Sequence, residues 1–312
     1  MNQLPKVSIC MITYRHEQFI EEAINSILIQ ECDFEIELIL ANDCSPDGTD
    51  EVVKKIMETH PRAGVITYIK HEVNQGMMAN FLFSLQQCKG EYVALCEGDD
   101  YWTDSLKLQK QVGFLDANRD YVLSFHNATI MNSHRNVSGV FNKFLKSDYT
   151  PNEILKNWIT PTASMVFRNV ITEFPLFLKE ATHGDLALRV YLCEFGKVGA
   201  FNEMMSVYRI NEQSITVKLY QDLENIKKLI KQLELMKSYF KGKYDIELQE
   251  KIFLLKLDCA NCYKGKNIIK QILLFFRTII LNPKLTFSFP KKVWTSIKSI
   301  GVSFLVLLKL KK

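Results

Sequence analysis

The first hundred residues alternate between short apolar runs and longer segments with helical spacing. The apolar runs are rich in β-branched and aromatic residues, which predicts strands, and the segments between them predict helices. The predicted strands are Val7–Tyr14, Ile36–Ala41, Val65–Ile69 and Tyr92–Cys96, and the helices between them are Glu17–Gln30, Thr49–His60 and Met77–Cys88. Strands and helices that alternate in this way build a parallel sheet with helices on its faces. We therefore expect an α/β fold with a mainly parallel sheet.

The alternation becomes less regular after residue 100 and ends near residue 217. The pattern here predicts helices at Leu106–Ala117 and Leu186–Phe195, strands at Tyr121–Met131 and Met165–Arg168, and loops over residues 130–149. From Lys218 onward the spacing is helical and lysines are frequent. The sequence thus predicts one domain over residues 1–217 and a helical region over residues 218–312.

Polar side chains follow each of the first four predicted strands. These positions are Thr13-Tyr14-Arg15, Asp43, residues 71–74 and residues 97–100. In parallel sheets ligands bind beyond the carboxyl ends of the strands, so we expect these groups to meet at one edge. A carboxylate after the second strand can accept hydrogen bonds from a ribose or a base. The pattern therefore favours nucleotide binding.

The most acidic of these positions is Glu97-Gly98-Asp99-Asp100, directly after an apolar strand. Like charge is costly to bury unless a cation neutralises it, and carboxylate oxygens suit Mn²⁺ or Mg²⁺. The alternative is a solvated acidic turn in which an Asp caps a helix. Neither GxGxxG nor GxxxxGK[ST] occurs, which argues against a dinucleotide dehydrogenase and a P-loop enzyme. Without a glycine-rich phosphate loop, a metal would carry most of the diphosphate charge, which indicates a sugar nucleotide.

Four motifs in this order resemble the family 2 glycosyltransferases, which have the Rossmann-like GT-A fold. They are Val7-Ser8-Ile9 with Thr13-Tyr14-Arg15, Ala41-Asn42-Asp43-Cys44-Ser45, Asn74-Gln75-Gly76 with Asn80, and Glu97-Gly98-Asp99-Asp100. The resemblance covers about the first 215 residues. It implies an inverting transferase in which Asp99 ligates the metal under the diphosphate. The residues assigned to nucleotide-sugar binding are Thr13, Tyr14, Arg15, Asp43, Asn74, Gly76, Asn80, Glu97, Gly98, Asp100 and Arg209.

The chain departs from the family pattern at three positions. The family usually has Asn where Arg15 stands and Asp where Glu97 stands. Residues 207–214 resemble the family's closing loop, but Asn211 occupies a place where a histidine is common. Asn is a weak metal ligand, so either fewer protein groups hold the cation or Arg209 takes more of the phosphate charge.

The resemblance also assigns a catalytic base and an acceptor site. Asp185, in Gly184-Asp185 before an apolar helix, has the pattern of an ordinary N-cap, whereas the family uses such a pair to supply the general base. The two roles are compatible. The residues predicted to bind the acceptor are Trp102, Thr162, Ser164 and Gly184. The alternatives are that Trp102 is a buried wedge and that residues 160–164 form a turn.

Charge is distributed unevenly along the 312 residues. Residues 1–217 contain 19 Lys and Arg against 28 Asp and Glu, whereas residues 250–312 contain 13 against 2. The longest uncharged stretch near the end, Ser299–Leu308, has ten residues, and a membrane span needs about 20. Basic helices with a wide apolar face lie on anionic membranes, which we expect here. Packing within the chain or in a homodimer is the alternative, and nucleic acid is not expected because no recognition motif occurs.

These observations predict a metal-dependent glycosyltransferase. It would transfer a sugar from a nucleotide diphosphate sugar, preferably a UDP-sugar, to a glycan or lipid-linked glycan in surface polysaccharide synthesis. No signal peptide pattern occurs, so we expect a cytoplasmic protein at the inner face of the cell membrane. One alternative is a catalytically silent, membrane-associated module that binds sugar nucleotides. The other is a sugar-phosphate nucleotidylyltransferase, although residues 11–18 lack the glycine that its phosphate loop needs.

Overall fold

The computed structural model describes residues 5–132, 136–143, 146–157, 159–210, 222–263 and 267–309. The chain divides into two compact units. The first is Met1–Pro175 with Gly184–Asn211, and the second is Leu176–His183 with Glu212–Lys312. The predicted domain boundary after residue 217 lies outside the described residues and stays a prediction.

The described residues form a strand-rich first unit and a helical second unit. The strands are β1 Val7–Thr13, β2 Ile36–Asn42, β3 Ile66–Lys70, β4 Tyr92–Leu95, β5 Tyr101–Trp102, β6 Tyr121–Asn132, β7 Val137–Val140, β8 Asp148–Tyr149, β9 Val166–Arg168 and β10 Lys197–Ile210. The helices are α1 Ile20–Leu28, α2 Thr49–Thr59, α3 Met77–Gln87, α4 Lys107–Ala117, α5 Pro151–Lys156, α6 Leu176–Lys179, α7 Gly184–Leu192, α8 Leu223–Phe240, α9 Asp245–Asn261, α10 Ile268–Leu281, α11 Pro283–Ser288 and α12 Pro290–Lys309. The α/β fold predicted from the alternation is confirmed.

The first four strands form the parallel half of one sheet, in the order β3-β2-β1-β4. In the register of these strands Thr13 lies opposite Asn42, and Asn42 lies opposite Lys70. Hydrogen bonds continue past the strand ends, because Asp43 N donates to Thr13 O at 3.0 Å and His71 N donates to Asn42 O at 2.9 Å. The carboxyl ends of the parallel strands therefore meet at one edge, as the sequence pattern predicted.

The other half of the sheet is mixed. β9 runs antiparallel to both β4 and β6, β10 runs parallel to β6, and β5 runs antiparallel to β10. Within residues 130–149 the prediction of loops is wrong, because β7 pairs with β6 and β8 pairs with β10. These two strands have four and two residues and lie at the surface, so pairing with distant strands rather than local apolar pattern defines them.

The core of the first unit lies between the parallel strands and the helices that cover them. On α1 the buried residues Ile20, Ala23, Ile24 and Ile27 recur at helical spacing. All four residues of β4 are buried, which explains why its sequence is a continuous apolar run. All eight cysteines are free thiols, and five of them are buried.

The second unit consists of helices packed through apolar stripes. Helix α8 begins at the Asp222 cap, whose side chain accepts from Asn225 N, and ends where Lys241 adopts a left-handed conformation. Its buried residues recur every three or four positions and are Ile226, Leu229, Leu233, Met236 and Phe240. A second apolar cluster joins α9, α10 and α12 through Phe253, Leu257, Ala260, Phe275 and Val293. Among the described residues, no helix has the length and apolar character to span a bilayer.

Lys107, at the start of α4, is fully buried in the core of the first unit. Its Nζ lies 4.1 Å from the centroid of the Trp102 ring and has no hydrogen-bond partner in the described part of the chain. Burial lowers the pKa of Lys107 to about 7. A charged group in such a place opposes folding, because the ring replaces only part of its lost hydration.

Replacing Lys107 by Met should stabilise the protein, because Met keeps the volume and removes a desolvated amine. Between pH 7 and 10.5 the unfolded chain retains the Lys107 proton that the folded protein has lost. The wild-type free energy of unfolding should therefore rise with pH there, by at most about 1.4 kcal/mol per pH unit. The advantage of Lys107→Met should be largest at neutral pH and below and shrink at alkaline pH, as urea denaturation at a series of pH values would show.

Lys110→Met is the matched control for this prediction. Its ammonium is partly exposed and paired with Asp104 at 2.7 Å, so its removal should not stabilise the protein. A stability difference between wild type and Lys107→Met that stays constant with pH would contradict the prediction.

Candidate active site

The acidic loop Glu97–Asp100 follows β4 and stays attached to the neighbouring strand β1. Cys96 N donates to Cys10 O at 3.2 Å, and Gly98 N donates to Ile12 O at 3.0 Å. Asp100 N donates to Glu97 O at 3.1 Å, which closes a tight turn. The carboxylates are therefore held at the sheet edge that the topology predicted for the ligand.

Glu97 lies where the acidic loop meets a second carboxylate and a hydroxyl residue. Burial and the negative charges of Asp99 and Asp185 raise the pKa of Glu97 to about 8, and a hydrogen bond with Thr162 opposes this shift. The interaction between charges weakens with distance, so the groups that shift this pKa are neighbours of Glu97. The structure therefore brings Asp99, Asp185 and Thr162 together around Glu97, although they come from three separate segments of the chain.

Asp100 is almost completely buried beside the same charges. Its Oδ1 accepts from Arg209 N at 2.8 Å, and its Oδ2 is buried with no hydrogen-bond partner among the described residues. Burial, followed by the charges of Asp99 and Glu97, raises the pKa of Asp100 well above its usual range. Full ionisation of the three carboxylates of this loop is therefore unfavourable without added positive charge.

This arrangement fits a bound divalent cation. A cation beside the loop would relieve the repulsion that raises the pKa values of Glu97 and Asp100, and the groups on offer are the oxygens that Mn²⁺ and Mg²⁺ prefer. In the described part of the chain, no three His, Cys, Asp or Glu side chains are arranged as a complete metal site. An ion held through Asp99 would therefore need ligands from a substrate, and diphosphate oxygens are suited to this.

Arg209, at the end of β10, fixes the acidic loop from the opposite side. Its Nη1 donates to Asp99 O at 2.6 Å, its Nη2 pairs with Glu22, and its guanidinium carbon lies 4.5 Å from the Tyr101 ring centroid. The side chain is 5% exposed. The predicted contact of Arg209 with phosphate stays a prediction, and Asn211 lies outside the described residues, as does the rest of the predicted closing loop.

His16 completes this edge and was missed by the sequence analysis. Its Nε2 lies 3.9 Å from Asp99 Oδ2. A Cβ built on Gly98 would lie 2.9 Å from both His16 Nδ1 and Thr13 Oγ1, so the imidazole and the hydroxyl pack directly against the glycine. The only signal in the sequence was the position of His16 next to Arg15, in the loop after β1.

The loop after β1 presents Tyr14 and Arg15 to solvent. The Arg15 guanidinium carbon lies 5.3 Å from the Tyr14 ring centroid, and Arg15 has a φ of +61°. Arg15 N donates to Ser45 Oγ at 3.1 Å, and Ser45 Oγ donates to Asn42 Oδ1 at 2.7 Å. Side chains from β2 and its following loop therefore hold Tyr14 and Arg15 at the predicted nucleoside position.

Asp43 organises the third loop of the edge. Its Oδ1 accepts from Gln75 N at 2.6 Å, and its Oδ2 accepts from Gly76 N at 2.9 Å. Asn74 Nδ2 donates to Asp43 O at 3.2 Å, and Gly76 has a φ of +85°, a conformation that glycine adopts most readily. The predicted contact of Asp43 with the nucleoside stays a prediction, while its part in shaping residues 74–76 is visible.

Asn80 joins α3 to the same edge. Its Nδ2 donates to Ala41 O at 2.9 Å, and its Oδ1 lies 2.9 Å from His71 Nε2. The side chain is buried, so the structure gives it a role in positioning the loops. Its predicted nucleotide contact is not tested.

Asp185 is the second residue of α7, inside the first helical turn rather than at the N-cap position predicted for it. Its Oδ2 accepts from Arg189 Nη1, one turn later, at 3.1 Å, and Arg189 is almost fully buried. A Cβ built on Gly184 would lie 2.5 Å from Met78 Sδ. The close approach of α7 to α3 and the Arg189 contact therefore fix the carboxylate in place.

The predicted acceptor residues separate into partly exposed and buried positions. Thr162 is partly exposed and adjoins Glu97. Trp102 is 2% exposed and donates from Nε1 to Ala163 O at 2.8 Å, which favours the buried wedge over stacking on a sugar. Ser164 is buried and donates to Pro161 O at 2.6 Å, as expected for a turn. Of the four candidates, Thr162 lies beside Glu97, and Gly184 directly precedes Asp185.

Replacing Gly98 by Ala should lower the free energy of unfolding by about 1–3 kcal/mol, because the added methyl group would meet Thr13 and His16. Gly113→Ala is the control. Gly113 lies within α4 with open space at its Cβ position, so this change should instead raise stability by about 0.5–1 kcal/mol. Urea denaturation would measure both, and equal stability of the two variants would show that the acidic loop has room.

The chain is similar to a known protein family and to several individual proteins. The model of Glycosyl transferase family 2 matches residues 8–172, just over half of the chain. The uncharacterized protein Rv1520 of Mycobacterium tuberculosis is 30% identical over 226 residues, which are 69% of this chain and 62% of that protein. The chain thus spans about three fifths of the length of this relative. The putative teichuronic acid biosynthesis glycosyltransferase TuaG of Bacillus subtilis is 28% identical over 218 residues, 69% of this chain and 83% of TuaG.

Two solved structures share the fold. S. aureus TarS 1–349 in complex with UDP-GlcNAc superposes with a TM-score of 0.58 at 18% identity, covering 96% of this chain and 91% of that one. Mannosyltransferase PcManGT from Pyrobaculum calidifontis, in complex with GDP-Man and Mn²⁺, gives a TM-score of 0.55 at 16% identity, covering 100% and 89%. On the evidence of the family model, the edge loops and these relatives, the chain belongs to glycosyl transferase family 2.

Proposed function

We propose that this protein is an inverting, metal-dependent glycosyltransferase of surface polysaccharide synthesis. It transfers a sugar from a nucleotide diphosphate sugar, preferably a UDP-sugar, to a hydroxyl group of a glycan or lipid-linked glycan. Residues 1–217 form its catalytic domain and residues 218–312 a helical region at the inner face of the cell membrane. The observation that carries the proposal is the acidic loop fixed at the carboxyl edge of the parallel strands, with Asp99 partly exposed beside His16 and Asp185 held by Arg189 at the start of α7.

The two carboxylates suit the two ends of a displacement at the anomeric carbon. In this reaction the acceptor oxygen forms a bond to that carbon, the bond to the diphosphate oxygen breaks, and the nucleoside diphosphate leaves with the electron pair. Asp185 takes the proton of the acceptor hydroxyl, since a sugar hydroxyl is a poor nucleophile without a base. The Arg189 contact orients the carboxylate for this role.

The acidic loop suits the leaving group. Asp99 is its partly exposed carboxylate, with His16 on one side and the Arg209 contact on its backbone. Asp99, beside Glu97 and Asp100, would hold Mn²⁺ or Mg²⁺, which would supply positive charge to the diphosphate oxygens. PcManGT was solved with GDP-Man and Mn²⁺, which supports the assignment.

The loops after β1 and β2 suit the nucleoside. Tyr14 and Arg15 are exposed at this edge, and Ser45 and Asn42 hold them in position. Thr13 contributes a buried hydroxyl that has no hydrogen-bond partner among the described residues and adjoins Gly98. TarS was solved with UDP-GlcNAc and TuaG is described as an enzyme of teichuronic acid biosynthesis, which supports a sugar nucleotide donor and a polysaccharide product.

Asp185→Asn should lower sugar transfer or donor hydrolysis by about 10²–10⁴-fold, because the amide cannot accept the proton. It should leave donor binding unchanged, because Asp185 faces the acceptor side. Turnover would be measured as release of nucleoside diphosphate, and donor affinity by calorimetry. Asp33→Asn, at an exposed carboxylate outside the acidic loop, is the control and should retain full activity. Unchanged turnover in Asp185→Asn would show that Asp185 is not the catalytic base. If the wild type bound the donor without turnover, the result would favour the catalytically silent module that only binds sugar nucleotides.

Asp99→Ala should abolish the part of donor affinity that depends on Mn²⁺, because the ion then loses its partly exposed protein ligand. A panel of UDP- and GDP-sugars, each titrated with and without Mn²⁺, would measure this and identify the donor. Donor affinity that Mn²⁺ does not change in the wild type would contradict the metal assignment.

A further inference from the structure

Helix α10, Ile268–Leu281, buries two polar side chains together with one phenylalanine and leaves several large apolar side chains exposed. The buried positions of this helix are Gln271, Phe275 and Thr278. Four large apolar side chains lie at the surface, with exposed fractions of 68%, 63%, 50% and 69%, and they are Ile269, Leu273, Phe276 and Ile280. Their spacing of four, three and four residues places them on one face of the helix. The exposed side of α10 is therefore a continuous apolar stripe.

Specific hydrogen bonds fix this orientation of the helix. Gln271 Nε2 donates to Ser299 Oγ at 2.9 Å, and Ser303 Oγ donates to Gln271 Oε1 at 2.7 Å. A rotation that buried the apolar stripe would break these bonds and leave their polar groups buried without partners. The hydrogen bonds between α10 and α12 therefore keep the apolar stripe exposed.

The next two helices also carry exposed apolar residues. Phe287 on α11 is 85% exposed, and Trp294 and Ile297 on α12 are also exposed. We call this set the α10–α12 surface and define it as Ile269, Leu273, Phe276, Ile280, Leu281, Phe287, Trp294 and Ile297. Soluble monomers rarely leave so many large apolar residues together in water, and such surfaces mark sites of interaction.

The charged residues around this surface indicate which kind of partner it binds. After Asp258 the sequence contains eleven Lys and Arg and not one Asp or Glu. Lys270, Arg277, Lys284 and Lys298 are exposed on the same three helices. A second copy of the chain would bring the same positive charge against this surface, which opposes self-association. An anionic lipid surface complements both the charge and the apolar stripe.

We propose that the α10–α12 surface docks on the headgroup region of an anionic bilayer, with its apolar side chains inserted between the lipids. Since these helices do not qualify as membrane spans, they lie along the surface of the bilayer. The proposal deepens the membrane location given under the proposed function, names its lipid partner, and does not depend on catalysis.

Vesicle co-sedimentation of the full chain tests the proposal. At low salt the protein should bind vesicles made of an equal mixture of phosphatidylglycerol and phosphatidylcholine. Its affinity for vesicles of phosphatidylcholine alone should be at least tenfold lower. The double variant Leu273→Gln with Phe276→Gln should weaken binding at least tenfold, because two inserted apolar groups are lost. Ile246→Gln is the matched control, since Ile246 is 69% exposed on α9 outside the surface, and it should bind like the wild type.

A second pair of variants tests the charge. Lys284→Gln with Lys291→Gln should weaken binding to the anionic vesicles by about fivefold for each lysine. Lys55→Gln with Lys228→Gln, at exposed lysines outside helices α10, α11 and α12, should leave it unchanged. Brominated lipids should quench the fluorescence of the wild type, and this quenching should fall in Trp294→Phe but persist in Trp158→Phe. The third tryptophan, Trp102, is buried in the first unit.

Donor affinity, measured on the same variants, separates this proposal from the proposed function, because substitutions on the α10–α12 surface should not change it. Failure of the wild type to bind anionic vesicles would overturn the lipid proposal even with donor binding intact. So would stripe or lysine variants that bind vesicles like the wild type. Self-association that the stripe variant abolishes, without vesicle binding, would assign the surface to a second copy and likewise overturn it.

Discussion

The main physical constraint on the first unit is the repulsion among the carboxylates that follow β4. Glu97 and Asp100 have raised pKa values because burial and neighbouring negative charge act together. The chain does not neutralise this charge directly with a cationic side chain inside the loop. It uses backbone contacts instead, since Arg209 N bonds to the Asp100 carboxylate and the Arg209 guanidinium bonds to the Asp99 carbonyl. A bound cation would favour ionisation of these carboxylates, so the loop is suited to a ligand that carries positive charge.

The same contacts explain why the mixed half of the sheet exists. β10 reaches the acidic loop only because it runs parallel to β6 over a long stretch, with register shifts that bend it, and pairs with β5 just after Asp100. The parallel half supplies the loops, and the mixed half closes around one of them. The parallel half of the sheet thus provides the loops of this edge, and the mixed half fixes the acidic loop through Arg209 of β10.

The sequence predicted the parallel half well and the mixed half poorly, for a physical reason. β1, β2 and β4 are buried on both faces, so their apolar runs are visible without knowledge of their partners. β5 has two residues, and β10 includes exposed polar positions, so pairing with distant strands decides their conformation. Asp43 was predicted as a site residue because it follows a predicted strand, and Asn80 because of the family resemblance, but their hydrogen-bond partners Gln75 and Ala41 lie about 30 to 40 residues away in the sequence. His16 was missed because its proximity to Asp99 depends on two loops that meet only in the fold.

The C-terminal helices show the same limit more sharply. Helical spacing predicted an amphipathic segment at residues 268–281, yet spacing alone does not say which face turns outward, and the usual assumption would bury Leu273 and Phe276. The partners of Gln271 decide the matter, because a buried amide is tolerated only when its hydrogen bonds are made, and Ser299 and Ser303 make them. Each large side chain left in water forgoes about 1.5–3 kcal/mol of burial energy, so the exposed stripe is unfavourable for a protein that stays in water. Helix α10 turns Gln271 and Thr278 toward its own chain and leaves large apolar side chains outside, and the anionic lipid surface that we propose as their partner complements both these side chains and the surrounding lysines.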